Sequence, residues 1–342
     1  MWSGDQLIQA MIDEAKQARK LRRTGETRHQ RKQRLQQLLR ESLGTFASTE
    51  NFTPVDLESE KCDGYTRERV ELSAVPGVTF PAYILIPDGA SSTNKLPGVI
   101  AVHGHGYGSR QICGMRSDGS PDRGEPDLYN HFAVQLVKRG LIVMAPDVIG
   151  FGERRLRSEV EENPDAPSSC YRMASQLLML GKTLTGLRVK ETLSAVDYLA
   201  QRSEVDATKL GIAGFSGGSL ISYIVAALDE RIRASLLIGF PNTFEGSIMA
   251  VHHCLCNYTP GILSQAELPD LMGLIAPRHL FLESGKDDPI FPAAGFMEAV
   301  HELQAIYEEE GARDHLGFDL FPGVHEVSGR HSFAWLRSVL NS

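Results

Sequence analysis

Leu210-Gly211-Ile212-Ala213-Gly214-Phe215-Ser216-Gly217-Gly218-Ser219-Leu220 is the stretch on which the reading of this chain turns. Residues 210–214 are short, apolar and rich in small residues, which suits a buried strand. Residues 219–228, Ser-Leu-Ile-Ser-Tyr-Ile-Val-Ala-Ala-Leu, continue as a buried helix. Between them lies Gly-x-Ser-x-Gly. The bare pattern is cheap, but a strand running straight in and a helix running straight out make it specific. The turn has to be so tight that a side chain at position 214 or 218 would strike backbone. Ser216 is thereby lifted above the sheet, at the positive end of a helix.

Outward from this turn, strands and helices alternate. Upstream, the sequence predicts strands over residues 65–72 and 79–86, joined at Pro76-Gly77, then a strand over 96–103, a helix over 128–138, a strand over 141–146 and a long helix over 177–201. Downstream come strands over 232–240, 279–283 and 318–321, with helices over 298–309 and 333–340. An antiparallel hairpin followed by repeated strand-helix units implies a mostly parallel, doubly wound sheet. Residues 4–22 and 28–43 carry apolar residues at helical spacing and are separated by Thr24-Gly25. They read as an N-terminal helical extension over 1–45, ahead of a catalytic domain over 46–342. Residues 107–126, 153–175 and 242–275 break the alternation after strand ends. Ligands of open α/β sheets bind there, so these segments read as pocket walls and a partial lid.

A serine hydroxyl is a weak nucleophile near neutral pH. It needs a base within hydrogen-bond reach, and the base needs an orienting acid. In a strand-Ser-helix architecture of this type the order along the chain is Ser, acid, His. Strand 279–283 ends in Ser284-Gly285-Lys286-Asp287-Asp288-Pro289, which places Asp288 as the acid and leaves Asp287 as the neighbouring alternative. The last strand ends in Pro322-Gly323-Val324-His325, which places His325 as the base; His301, His315 and His331 sit less suitably. Two backbone amides must stabilise the developing oxyanion. Gly217 follows the nucleophile. His105, in His103-Gly104-His105-Gly106, follows the strand over 96–103. His103 and Asp147 read as structural neighbours of the site.

Composition sets the outer limits. The hydrophobic share of 42% and charged share of 23% are those of an ordinary globular chain. No apolar run approaches a membrane span, and the N-terminus lacks a secretion pattern, so a cytoplasmic location is expected. The net charge is −8. Residues 1–40 hold ten Lys/Arg against four Asp/Glu, so this arm is basic and the rest of the chain strongly acidic. With no interleaved aromatics to stack on bases, the arm reads as a solvated or salt-bridged face, and no nucleic-acid partner is expected. A homo-oligomer stays open. The five cysteines, Cys62, Cys113, Cys170, Cys254 and Cys256, are odd in number and read as reduced thiols. His252-His253-Cys254-Leu255-Cys256 has the residue types of a metal cluster but not the usual zinc spacing, so it reads as a pocket wall. No cofactor and no metal is expected.

In chain order, His103-Gly104-His105-Gly106, Gly150-Phe151-Gly152-Glu153-Arg154, the 214–218 elbow, Ala276-Pro277-Arg278, residues 285–292 and Gly323-Val324-His325-Glu326 resemble the dienelactone hydrolase-related and acetyl xylan esterase-like branch of the α/β-hydrolases. The resemblance spans about residues 60–340. It implies triad roles for Ser216, Asp288 and His325, and oxyanion roles for the His105 and Gly217 amides. Dienelactone hydrolase itself uses cysteine where this chain has Ser216. The expectation is a serine-dependent carboxylic ester hydrolase acting on a small, short-acyl ester. A small amidase of the prolyl-oligopeptidase type and a catalytically silent binding fold are the alternatives.

Overall fold

The computed structural model describes residues 3–342. One sheet of nine strands runs through it, in the order β1-β2-β3-β5-β4-β6-β7-β8-β9. The strands are β1 (Val55–Cys62), β2 (Tyr65–Val75), β3 (Val78–Pro87), β4 (Leu96–Val102), β5 (Ile142–Pro146), β6 (Val205–Phe215), β7 (Ile232–Ile238), β8 (His279–Gly285) and β9 (Leu316–Phe321). β1, β2 and β3 form an antiparallel meander that joins β5; β5, β4, β6, β7, β8 and β9 are mutually parallel. The helices are α1 (Gly4–Gly25), α2 (Arg28–Leu43), α3 (Ser109–Ile112), α4 (Phe132–Val137), α5 (Arg157–Glu162), α6 (Cys170–Met179), α7 (Leu184–Gln201), α8 (Gly217–Leu228), α9 (Leu268–Met272), α10 (Ala293–Glu309) and α11 (Ser332–Asn341). This is the mostly parallel sheet expected from the strand-helix alternation, in the α/β-hydrolase fold that the resemblance implies.

The parallel strands are apolar along their length because both faces are covered. In β4, Ile100 and Val102 point into a core that includes Val196 and Leu199 of α7, Ile221 and Val225 of α8 and Phe296 of α10. Val99 and Ala101 point the other way, into a second core with Phe132 and Leu136 of α4 and Phe333 and Leu336 of α11. The two-residue period of a strand therefore distributes consecutive side chains between two helical layers.

Three local differences from the sequence reading have plain causes. Strand β1 was not expected. It is an edge strand with nearly every residue exposed and charges at Asp56, Glu58, Glu60 and Lys61, so it lacks an apolar period. The helix expected over 177–201 is two helices. α6 ends before Gly181, whose φ is +68°, and α7 restarts where the Thr183 side chain accepts from the Gly186 N–H. The helix expected over 128–138 shrinks to α4, because Asn130 and His131 take left-handed φ values of 52° and 41°.

At the N-terminus, α2 opens with a Thr27–Gln30 capping box and buries Leu35, Leu39 and Leu43 in the first core. The basic surplus of this arm meets the acidic body: Arg28 pairs with Glu310 at 2.7 Å, Arg31 with Glu309 at 2.8 Å and Arg23 with Glu302 at 3.6 Å. Pairs at the protein surface, even partly covered as these are, contribute about 0–1 kcal/mol each. Burial of a leucine contributes about 1.5–3 kcal/mol, so the three leucines hold the arm more than its charges do. Among the described residues, no helix is long and apolar enough to cross a membrane.

Candidate active site

β6 carries the chain to the carboxyl edge of the sheet, and the turn into α8 follows at once. Ser216 has φ 55° and ψ −124°, a conformation that side chains rarely adopt. A β-carbon at Gly214 would lie 2.4 Å from the Gly218 carbonyl oxygen, and one at Gly218 would lie 2.0 Å from that of Val102. The two glycines are therefore required by contact. The strained turn is pinned from outside: the Ser216 N–H donates to the Ile238 carbonyl (2.8 Å), and the buried Ser219 hydroxyl lies 2.5 Å from the Gly214 carbonyl oxygen. Ser216 and Gly217 remain half-exposed while their neighbours are buried.

The turn after β8 and the loop after β9 meet beside this elbow. A β-carbon at Gly285 would sit 2.0 Å from the Val324 carbonyl oxygen, so only glycine lets the histidine loop close over the acid turn. Asp288 is buried and both its oxygens are used. Oδ1 accepts from the Ile290 N–H (2.8 Å) and the Phe291 N–H (3.0 Å), and Oδ2 lies 2.7 Å from His325 Nδ1. Asp287 is exposed, and its backbone N–H donates to the Gly323 carbonyl (2.9 Å). The imidazole of His325 packs on Phe215, the residue before Ser216, at 4.7 Å between ring centroids, and on Phe291 at 5.7 Å. The loop beyond His325 is fastened by Glu283, which accepts from the Ser328 and Gly329 N–H groups and from the Ser332 hydroxyl (2.5 Å). Burial pushes the Glu283 carboxyl above its ordinary pKa.

The loop after β4 runs along the same elbow. A β-carbon at Gly104 would lie 3.0 Å from that of Ser216, and one at Gly217 would lie 3.4 Å from His105 Nδ1. The N–H groups of His105 and Gly217 have no acceptor among the described residues. The His105 carbonyl accepts from Tyr129 (2.8 Å). His103 is buried and structural: its Nδ1 faces the Gly104 carbonyl (2.8 Å), and its Nε2 accepts from the Val148 N–H (2.9 Å). Asp147 accepts from the Ser109 N–H (2.7 Å). Arg278 of the Ala-Pro-Arg segment donates to the carbonyls of Ala226, Asp229 and Ile232, a splice between α8 and β7. A cleft of 620 Å³ opens beside His105, walled by Tyr107, Phe151, Ala166 and Pro167 with Glu153 and Arg155 at its margin. Its walls come mostly from the irregular segments over 107–126 and 153–175, completed by His105, Gly106, Phe151 and Gly152, and the 242–275 segment expected as a further wall does not line it. A second cleft of 530 Å³ lies under α1, and neither cleft is lined by Ser216, Asp288 or His325; the first reaches the site through His105.

One cluster here was missed from the sequence. His105 Nε2 and the sulfurs of Cys170, Cys254 and Cys256 all lie within 4.8 Å of one another. Cys254 and Cys256 come from the 242–275 segment, Cys170 from the start of α6 and His105 from the loop after β4. No single stretch carries more than two of the four, so spacing within one stretch could not reveal them.

A model of the Abhydrolase family matches residues 2–293. The putative hydrolase YtaP of Bacillus subtilis (strain 168) is 29% identical over 269 residues, covering 75% of this chain and 80% of that protein. A putative acetyl xylan esterase from Bacteroides fragilis NCTC 9343 superposes with a TM-score of 0.72 at 17% identity, covering 98% of this chain and 89% of that one. A glucuronoyl esterase from Solibacter usitatus gives 0.66 at 14% identity, covering 91% and 92%.

Proposed function

This chain belongs to the Abhydrolase family, and on that premise we propose that it is a carboxylic ester hydrolase in which Ser216 is the nucleophile, His325 the general base and Asp288 the orienting acid. The observation that carries the reading is the 2.7 Å contact between His325 Nδ1 and the buried Asp288, beside a serine held in a strained elbow. A carboxylate on Nδ1 selects the tautomer with its proton there and leaves the Nε2 lone pair free to accept a proton from Ser216. As Ser216 attacks the ester carbonyl, charge develops on its oxygen. The amides of Gly217 and His105, which have no other acceptor among the described residues, are the donors assigned to that oxyanion. His325 then returns its proton to the leaving alcohol. Water, deprotonated by the same imidazole, attacks the acyl-enzyme and frees Ser216.

The 620 Å³ cleft adjoins the site through His105, the residue assigned to the oxyanion, and its largely apolar walls suit a small ester. A short acyl group, as in the acetyl ester named for one structural neighbour, is the favoured substrate class. The test is hydrolysis of p-nitrophenyl acetate and butyrate by the wild type and by Ser216→Ala. Turnover by the wild type, acetate faster than butyrate, with a loss of roughly 10⁴-fold in the variant, supports the reading. A fully active variant refutes the nucleophile, and a wild type that hydrolyses neither ester counts against the substrate class.

A further inference from the structure

We infer that His105, Cys170, Cys254 and Cys256 form a closed binding site for one thiophilic divalent cation of the zinc class, which staples the loop running along the Ser216 elbow to two of the pocket-forming segments. The inference goes beyond the hydrolase reading, and its primary readout does not depend on it.

The geometry is that of a tetrahedral ligand set. With Zn–S near 2.3 Å and Zn–N near 2.0–2.1 Å, the edges of the tetrahedron are about 3.8 Å between sulfurs and about 3.6 Å between sulfur and nitrogen. The structure has Cys256 Sγ 3.5 Å from His105 Nε2 and 3.2 Å from Cys254 Sγ, with every pair inside 4.8 Å. These separations are far longer than a disulfide bond of about 2.05 Å, and all three cysteines are free thiols. Three sulfurs and one imidazole nitrogen make one of the commonest closed zinc donor sets.

The surroundings carry an independent signal. Arg188 is buried on α7, and no carboxylate lies within ion-pairing distance of it among the described residues. Its guanidinium donates to the Ile149 carbonyl (2.8 Å), lies 3.1 Å from Cys170 Sγ and covers the Phe151 ring. A buried cation needs an anion beside it, and here the partner is a sulfur. Three thiolates carry −3; a divalent cation together with Arg188 carries +3, so the buried charge sums to zero. The scaffold is also fixed in advance. A turn over residues 255–257 lets the Asn257 N–H reach the Cys254 carbonyl (2.9 Å), the Thr185 hydroxyl holds the Cys256 carbonyl (2.7 Å), and the Ser169 N–H beside Cys170 donates to the Gly150 carbonyl (2.9 Å). Cys170 and Cys256 are buried, whereas His105 is exposed and offers a route of entry.

Four protein ligands leave no position for substrate, so the ion holds structure rather than polarising an ester. Its position gives that role meaning. His105 Nε2 faces the sulfurs while the Nδ1 side of the same ring abuts Gly217. An ion on Nε2 therefore locks the residue whose amide is assigned to the oxyanion, together with the start of α6 and the 254–256 turn.

The experiment is elemental analysis of the full-length chain, purified under reducing conditions without chelator or a metal-affinity tag. Wild type, Cys170→Ser and Cys254→Ser are compared with Cys62→Ser, whose sulfur lies on β1 away from the cluster. The expected result is about one zinc per chain in the wild type, in Cys62→Ser and in Ser216→Ala, and at least a fivefold loss in the two cluster variants. Because a cluster variant can fail to fold, cobalt is also titrated into the metal-stripped wild type. Thiolate-to-cobalt charge-transfer absorption and intense tetrahedral d–d bands, saturating at one equivalent, are expected. A reduced, folded wild type that holds no metal and gives no such bands overturns the site. So does peptide mapping that finds the cluster's cysteines joined in a disulfide in protein taken directly from the cell, which would assign them to a redox pair. If metal binding holds while esterase activity is absent, the proposed esterase reading fails and this one stands. If both hold, metal removal lowers kcat by roughly 10–100-fold, the scale of displacing a positioned catalytic group.

Discussion

Replacing Asp288 with Asn changes one atom and is expected to remove nearly all activity. In the wild type, Oδ1 is occupied by the Ile290 and Phe291 N–H groups, at 2.8 and 3.0 Å, and Oδ2 faces His325 Nδ1 at 2.7 Å. The two backbone donors compel the carboxamide oxygen of the variant to take the Oδ1 position. Its NH₂ group then points at His325 Nδ1, which has to become the acceptor. The ring proton moves to Nε2, the atom that must receive the proton of Ser216, so the ground state holds the wrong tautomer. A loss of about 10⁴ in kcat is expected for that inversion, equal to about 5.5 kcal/mol at 1.36 kcal/mol per factor of ten. The fold should be retained, because the backbone donors keep their acceptor. The assay is steady-state hydrolysis of p-nitrophenyl acetate with urea unfolding in parallel, and Asp287→Asn serves as the control. Asp287 is exposed, so its variant should stay within threefold of wild type. An Asp288→Asn enzyme keeping more than a tenth of wild-type kcat, or an Asp287→Asn enzyme losing a hundredfold, refutes the reasoning.

Three further outcomes follow from packing and burial. Gly218→Ala places a β-carbon 2.0 Å from the Val102 carbonyl oxygen, where backbone on both sides leaves no room to relax. It should cost about 3 kcal/mol or more, read as a lower urea midpoint or as insoluble expression. Leu39→Ala on α2, where the leucine is 2% exposed, should cost about 2–5 kcal/mol in the same assay, whereas loss of the half-exposed Arg28–Glu310 surface pair should cost under about 1 kcal/mol. Glu283 has its folded pKa raised by burial above the ordinary 4.5, so the folded state holds its proton more tightly than the unfolded chain. That contribution is present below pH 4.5 and is lost as pH rises through the folded value. The stability of wild type relative to Glu283→Gln should therefore decline with rising pH above about 4.5, by at most about 1.4 kcal/mol per unit, and a flat or rising difference would contradict the assignment.

What could be read in advance was what local chemistry dictates. The elbow is legible because tight contact demands glycine at positions 214 and 218 and because the flanking strand and helix are continuous in sequence. His325 is legible because it follows a strand end. The choice between Asp287 and Asp288 is not, since it depends on which carboxylate the turn directs toward the Ile290 and Phe291 amides. Strand β1 hides because an edge strand exposed along its length needs no apolar period. The break between α6 and α7 was announced by Gly181 and Thr183, a stop signal and a cap, but the apolar residues on either side read as one helix. The cysteine cluster is the opposite extreme: its four ligands converge from two loops and the start of α6, and only the folded sheet brings them together.

The central claim is that Ser216 is the nucleophile, and the most direct test traps it. The wild type is incubated with a fluorophosphonate, and the adduct is located by peptide mass spectrometry, with Ser216→Ala and His325→Ala treated in parallel. The expected result is one phosphonyl group per chain on Ser216, absent from Ser216→Ala and formed at least 10³-fold more slowly in His325→Ala, where no base activates the serine. Stoichiometric labelling at another residue, or a folded wild type that is never labelled while it still hydrolyses p-nitrophenyl acetate, would contradict it.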